Sequence, residues 1–248
     1  MIKYDSGSKI FYSTLINDDK FFGGFGTRDL GDGRNIDTAI SFAQTNIPNF
    51  KTIVIPEQIH SINVTNFSAN LIDNVEKVLE TDGLITKDTN SVLTVITADC
   101  SPIIFVEKKN GIVGISHQGW RGSVKRMAQK MANKIIESGG KKENIFAAIG
   151  PSIGECCYDI EDNRYYEFLE EFDGYAKKIF RRHHGKLHLN LTLLNYLQIK
   201  EIGIPEKNID YFPFCTRCDK KRFFSFRRDK KINYGEMLSF VVKGHSLS

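Results

Sequence analysis

Three polar sites interrupt otherwise apolar stretches of the chain. Pro56-Glu57-Gln58-Ile59-His60-Ser61 follows the run Thr52–Ile55. Thr97-Ala98-Asp99-Cys100-Ser101-Pro102 lies between two runs rich in Ile and Val, Val92–Thr97 and Ile103–Val106. Ser116-His117-Gln118-Gly119-Trp120-Arg121-Gly122 follows Ile112–Ile115. Two imidazoles and a thiolate are good zinc ligands. A set of three protein ligands leaves a fourth position for water or substrate, which is the arrangement of a catalytic site rather than a closed structural one. Asp99 is a candidate to orient a ligand from behind. Each residue alone has a plainer explanation, a hydrogen-bonded strand-end histidine or a small buried thiol. The spacing is not a compact zinc signature, so His60, Cys100 and His117 meet only if the fold brings them together.

The elements that would bring them together read as strands and helices in alternation. Thr52–Ile55, Val92–Thr97, Ile103–Val106, Ile112–Ile115 and Ile145–Ile149 look like buried strands. Strand ends are where such proteins place ligands, because side chains converge there on a rigid scaffold. Val124, Met127, Ala128, Met131, Ile135 and Ile136 follow helical spacing and predict a helix over Ser123–Ser138, capped by Ser123 and ended by Gly139-Gly140. Shorter helices are expected at Leu71–Leu79, Asn163–Phe172 and Leu191–Ile202. The mixture is α/β or α+β, and periodicity permits both.

Arginines and glycines supply candidate anion sites. Gly119-Trp120-Arg121-Gly122 opens the Ser123 helix, where free N–H groups would face a ligand. Gly150-Pro151-Ser152-Ile153-Gly154 is a second glycine-bearing loop. Arg222–Asp229, with Phe interleaved among Ser and Arg, reads as a strand with one apolar face, and its arginines suit bidentate phosphate binding. Arg121, Arg227, Arg228 and Ser225 are the candidates for substrate or phosphate. Cys215-Thr216-Arg217-Cys218 is an isolated C-x-x-C. Cys156 and Cys157 are adjacent and look ill suited to chelate as its second pair, so packing thiols are the expectation.

Composition excludes several classes. The chain has 248 residues, 41% hydrophobic and 26% charged, enough for a core, and nothing in it marks a linker, so one domain over 1–248 is expected. A net charge of +4 is well short of a nucleic-acid binder's footprint. No apolar run approaches the ~18 residues of a membrane span. The start, MIKYDSGSKIFYS, lacks the apolar core of a signal peptide, so a cytoplasmic protein is expected. The five cysteines, an odd number, argue against a disulfide framework.

PEQIHS, TADCSPIIF, SHQGWRGSV, AIGPSIGECCYDI and CTRCDKKRFFSFRRD together resemble, in order, the laccase-domain or multicopper polyphenol oxidase (YfiH-like) family, now regarded as purine nucleoside phosphorylases. They run from Pro56 to Asp229. The resemblance implies an α+β fold, a layered α/β/β/α sandwich of mixed sheets with outer helices. It implies that His60, Cys100 and His117 bind zinc; copper could occupy the same triad, because it outranks zinc in intrinsic affinity. It also implies phosphorolysis of adenosine, inosine, guanosine and S-methyl-5'-thioadenosine, plus adenosine deamination. Two segments depart from the family pattern. Gly235 is followed by Glu236 where a Gly-Arg pair is usual, and Gly23–Asp29 diverges from the usual glycine motif.

Other chemistries use the same residues. A cysteine hydrolase or amidase, acting for example on cell-wall precursors, would use Cys100 as nucleophile and His117 as base, with Asp99 or His60 orienting it. A multicopper oxidase needs many histidines, several in His-x-His pairs, and only six histidines occur, none so paired. A redox or binding module would rest on the Cys215–Cys218 motif.

Overall fold

The computed structural model describes residues 1–69, 74–172, 174–183, 185–229 and 234–244. The apolar runs form two large mixed sheets. One has the spatial order β1 (Ile2–Asp5), β2 (Ile10–Ser13), β3 (Phe21–Gly26), β16 (Met237–Lys243), β8 (Ser91–Thr97), β4 (Thr52–Pro56) and β6 (Val75–Val78). The other runs β15 (Ile209–Tyr211), β11 (Ile145–Ile149), β9 (Ser101–Glu107), β10 (Ile112–Gln118), β7 (Gly83–Thr86) and β5 (Val64–Phe67). A small third sheet joins β12 (Asp159–Ile160), β14 (Lys186–Leu189) and β13 (Phe180–His183). Pairing is antiparallel except where β4 meets β6 and β8, β5 meets β7, and β11 meets β15.

The central strands are apolar on both faces, and their period of two sorts those faces. Leu93 and Val95 of β8, Ile104 and Val106 of β9, and Val113 and Ile115 of β10 fill one core between the two sheets. The alternate residues point outward. Val92 packs with Ala39, Phe42 and Ala43 of α1 (Ile36–Asn46). Ile103, Phe105 and Ile112 pack against Met127, Met131 and Ile135 of α3 (Met127–Glu137) and Ile199 of α6 (Leu191–Glu201). Each fully buried Val, Leu or Ile contributes about 1.5–3 kcal/mol relative to exposure, so the pattern fixes the layers. The result is the layered α/β/β/α arrangement of mixed sheets that the sequence motifs imply. The remaining helices are α2 (Trp120–Val124), α4 (Asp162–Glu171), α5 (Ala176–Ile179) and α7 (Phe226–Asp229).

Three local expectations are corrected. The helix expected at Leu71–Leu79 is not formed. Its first three residues lie outside the described ones, and Val75–Val78 is the edge strand β6, paired parallel with β4. Val75 and Val78 fit helical spacing, but β-branched residues also suit a strand, and a neighbouring strand with free backbone groups decides. The Ser123–Ser138 helix is divided. Arg126, with φ of +59°, breaks it, so Ser123 is not a cap but a buried residue of α2. Its hydroxyl donates to Asn195 Oδ1 at 3.2 Å and its carbonyl accepts from Gln198 Nε2 at 2.7 Å, both on α6. Arg222–Asp229 is not a strand. It is a loop ending in the single turn α7. Among the described residues no helix is long and apolar enough to cross a membrane.

Candidate active site

His60, Cys100 and His117 meet at one end of the sandwich. His117 is near the end of β10, directly across from Pro102 at the start of β9. Cys100 lies in the turn by which the chain leaves β8 in one sheet and enters β9 in the other. His60 follows β4, the neighbour of β8. The ligand atoms of the three all lie within 4.8 Å of one another, and the two imidazoles stand perpendicular with centroids 4.7 Å apart. His60 is exposed, Cys100 half-buried and His117 buried, so one side of the triad is open.

Asp82 sets this geometry. It is fully buried in the turn before β7, and its carboxylate is at 2.7 Å from His117 Nδ1. A carboxylate only accepts hydrogen bonds, so Nδ1 carries the proton and Nε2 is left for a ligand. The same carboxylate accepts the backbone N–H groups of Ile59 (3.2 Å), His60 (3.1 Å) and Ser61 (2.6 Å) and the Ser61 hydroxyl (2.8 Å). These bonds hold His60 at φ +60°, a region uncommon for a side-chain-bearing residue. They also compensate the cost of burying the charge, and burial, which raises the Asp82 carboxyl, is outweighed by His117 and then Ser61, which hold it below its usual range. Gln58 fixes the rest of the His60 loop. Its amide accepts from Ile96 N–H and donates to Ile96 C=O, both at 2.8 Å, in the manner of a paired strand.

The donor set suits a metal ion. A Cβ added to Gly119 would lie 2.9 Å from His60 Cδ2 and 3.1 Å from Cys100 Sγ, so the bare glycine leaves the room that the ligands need. Burial opposes the Cys100 thiolate, but facing His117 and then His60 lowers its pKa to about 7. Burial likewise opposes charge on His117, while the Cys100 sulfur and the Asp82 carboxylate raise it. Without a metal these shifts favour a thiolate–imidazolium pair, and a soft divalent cation would take the sulfur and displace the His117 Nε2 proton, leaving Nδ1–H on Asp82.

Asp99 has a different task from the one its position suggests. It is buried at φ +84° and lines the same cavity, but its hydrogen bonds run to the C-terminal segment. Its carboxylate accepts from Thr216 Oγ1 (2.6 Å), Ser225 Oγ (3.0 Å) and Arg227 N–H (2.7 Å), fastening the Cys100 turn to the C-terminal segment. Asp82, not Asp99, is the acid behind the triad. Ser225 is buried in this knot, and Arg228 gives its guanidinium to the carbonyls of Thr216 (2.9 Å), Arg217 (3.0 Å) and Phe223 (2.8 Å) and to Asp229. Neither lines the cavity.

That cavity, of about 590 Å³, is walled on one side by the triad, within the usual size of a small-molecule site. Of the expected anion-binding residues, Arg121 and Arg227 line it, and Arg34 and Arg164 join them. Arg121 and Arg164 lie over the Trp120 ring at 4.8 and 4.6 Å, while Arg227 pairs with Asp159 at 2.8 Å and lies over Tyr158 at 5.1 Å. Helix α2 is too short for the N-terminal anion site expected of a longer helix. Trp120, Tyr158, Phe226 and Tyr234 supply aromatic wall. Glu236 also lines the cavity, and burial pushes its carboxyl up despite facing His117 and Arg34. Sequence reasoning missed Asp82, whose only signal was a lone acid in Thr81-Asp82-Gly83 before an apolar run, and missed Arg34, Arg164 and Tyr158, which carried none.

Fold and site together define a layered α+β protein with a His–Cys–His cluster that could hold a metal ion, beside an arginine- and aromatic-lined cavity. Residues 29–243 match the model of the family described as multi-copper polyphenol oxidoreductase laccase, and the chain belongs to that family. It is 34% identical over 216 residues to an adenosine deaminase of an unknown prokaryotic organism, covering 85% of this chain and 82% of that protein. It is 32% identical over 248 residues to a purine nucleoside phosphorylase of Clostridium acetobutylicum, covering 94% and 96%. The fold is similar to that of the Bacillus licheniformis protein YfiH, with a TM-score of 0.85, 27% identity and coverage of 97% and 98%.

Replacing Asp82 with Asn should weaken metal binding by about 10- to 100-fold, because the amide no longer holds His117 in its metal-binding tautomer or matches three N–H groups. Competitive titration with a chromophoric chelator reads this directly. Wild-type affinity in the variant would mean that Asp82 does not set the triad.

Proposed function

We propose that the chain is a zinc-dependent purine nucleoside phosphorylase. It converts adenosine, inosine, guanosine or S-methyl-5'-thioadenosine and phosphate to the free base and the ribose 1-phosphate, and it also deaminates adenosine. The observation that carries this reading is the triad's place in the wall of a cavity that also holds four arginines and four aromatic rings. The named activities of the relatives point the same way.

His60, Cys100 and His117 would hold the zinc. When bound, it supplies Lewis acidity, polarising an oxygen and bringing the pKa of a water towards ~7. Trp120, Tyr158, Phe226 and Tyr234 offer π-faces for a purine. Arg121 and Arg164 offer charge to an anion. In phosphorolysis a phosphate oxygen bonds to C1' as the glycosidic C–N bond breaks, and the departing purine takes up a proton. Glu236, whose carboxyl burial pushes up, would give that proton. In deamination water adds at C6 and ammonia leaves, and the same carboxyl shuttles the proton, the task zinc deaminases give to a non-ligating glutamate.

A second reading has its own support. Cys100, His117 and Asp82 also form the nucleophile, base and orienter of a cysteine hydrolase, with Asp82 in the role expected of Asp99 or His60, and a cell-wall precursor amide would be a substrate. Copper oxidase chemistry, which the family description names, fits less well. Beyond the triad, His183 and His188 stand together in the small sheet with rings 5.7 Å apart, and His184 and His245 lie outside the described residues. Copper at the triad itself is consistent with its donor types.

The test is a ribose 1-phosphate assay on the four nucleosides, with and without phosphate, and with zinc quantified in the same sample. Phosphate-dependent turnover of at least one nucleoside is expected. Zinc-loaded protein that turns over none of them would remove the proposal.

A further inference from the structure

The triad uses one cysteine of five. The other four converge on a second point. Cys156 and Cys157 lie in the turn after β11, and Cys215 and Cys218 in the segment that follows β15. Their four sulfurs all lie within 4.8 Å of one another, none in a disulfide. Cys218 Sγ is 3.3 Å from Cys157 Sγ and 3.6 Å from Cys156 Sγ. Four sulfurs about 2.3 Å from a shared zinc would stand about 3.8 Å apart, so this cluster already has the dimensions of a tetrahedral thiolate site.

Local backbone explains how adjacent cysteines chelate together. The N–H groups of Cys157 and Tyr158 both donate to Gly154 C=O, at 2.9 and 3.0 Å, and the tight turn directs both thiols to one side. The sequence expectation that Cys156 and Cys157 are ill suited to pair treats them as extended neighbours, which they are not. Gly154 N–H donates to Cys215 Sγ at 3.2 Å, stabilising charge on that sulfur. A Cβ on Gly154 would press within 3.3 Å of Cys156 Sγ and 3.0 Å of Cys215 Cβ, so the glycine keeps the space clear. The two segments are also joined by backbone, with a bridge between Ser152 and Cys215 and Thr216 N–H donating to Ser152 C=O at 3.1 Å.

We infer that Cys156, Cys157, Cys215 and Cys218 form a second metal site, a structural tetrathiolate centre for zinc. Four protein ligands fill the coordination sphere, so the site is closed and carries no chemistry of its own. It clips the loop that carries Tyr158 into the cavity to the segment whose Thr216 hydroxyl holds Asp99. The site is independent of the proposed activity, since it shares no ligand with the triad.

Metal counting tests it. Full-length protein purified with reductant and zinc should hold two zinc ions per chain, Cys100→Ala one, and Cys156→Ser or Cys218→Ser one. Cobalt loaded into Cys100→Ala should show the intense thiolate-to-cobalt charge transfer of an all-sulfur site. Both serine variants replace exposed thiols, and circular dichroism identifies one that fails to fold. The wild-type and Cys100→Ala counts do not depend on either. A Cys100→Ala protein that holds no zinc overturns the inference, as does a disulfide among the four in the reduced preparation.

Discussion

Cys100→Ala should lose the triad's metal and reduce phosphorolysis by on the order of 10³-fold, the loss expected when a main stabiliser of transition-state charge is removed. Cys100 is the one anionic donor of the triad, and alanine leaves two imidazoles that bind a divalent ion too weakly to retain it. Zinc should fall by one ion per chain rather than to none, because the tetrathiolate centre is untouched. Cys100→His separates the two readings of this thiol. It keeps three ligands and gives up the nucleophile, so a metal site predicts recovery of zinc and part of the activity. A thiol nucleophile predicts an inert variant, together with a wild type that survives chelation and is stopped by an alkylating agent. Full phosphorolysis by Cys100→Ala would defeat the zinc mechanism outright.

Glu236→Gln should lower kcat by about 10²-fold with little change in KM, within the range for loss of a positioned proton donor. The sign of the pH effect follows from the direction of the shift. Burial raises the Glu236 carboxyl above its usual range, so its protonated form persists to higher pH than an exposed glutamate allows. Wild-type phosphorolysis should fall as pH rises through that raised pKa, and the glutamine variant should lack this limb while running slowly throughout. A variant with the wild-type rate and profile would assign the proton to another group. The resemblance read from the sequence expects a Gly-Arg pair where Gly235-Glu236 stands, so the same experiment measures what this carboxyl does. Arg34, Arg121, Arg164 and Arg227 already bring four guanidinium groups to the cavity, so an anion can be held without a fifth.

Much of this protein is local and therefore legible in sequence. The strands β4, β8, β9, β10 and β11 lie where runs of Ile and Val place them, because a strand buried on both faces must be apolar throughout. His60, Cys100 and His117 stand out for the same reason, as polar residues at the ends of runs that otherwise exclude them. Their meeting was not local. It depends on β8 and β9 lying in different sheets, with the Cys100 turn crossing between them, and on β4 and β10 each neighbouring one of those strands. Asp82 shows the limit clearly. It is 35 residues from His117 in sequence and 2.7 Å away in space, whereas Asp99, next to Cys100, holds Thr216, Ser225 and Arg227. Adjacent side chains at a tight turn take different partners, and only packing says which. The four remaining cysteines follow the same rule. Their residue types were plain in the sequence, but a turn at Gly154 and a bridge from Ser152 to Cys215 decide that 3.3–3.6 Å separates sulfurs about 60 residues apart. Sequence thus determined the donor types and the strands that bear them. Tertiary structure alone decided which donors share a centre and which acid stands behind it, because sheet order is set by long-range burial that no local period encodes.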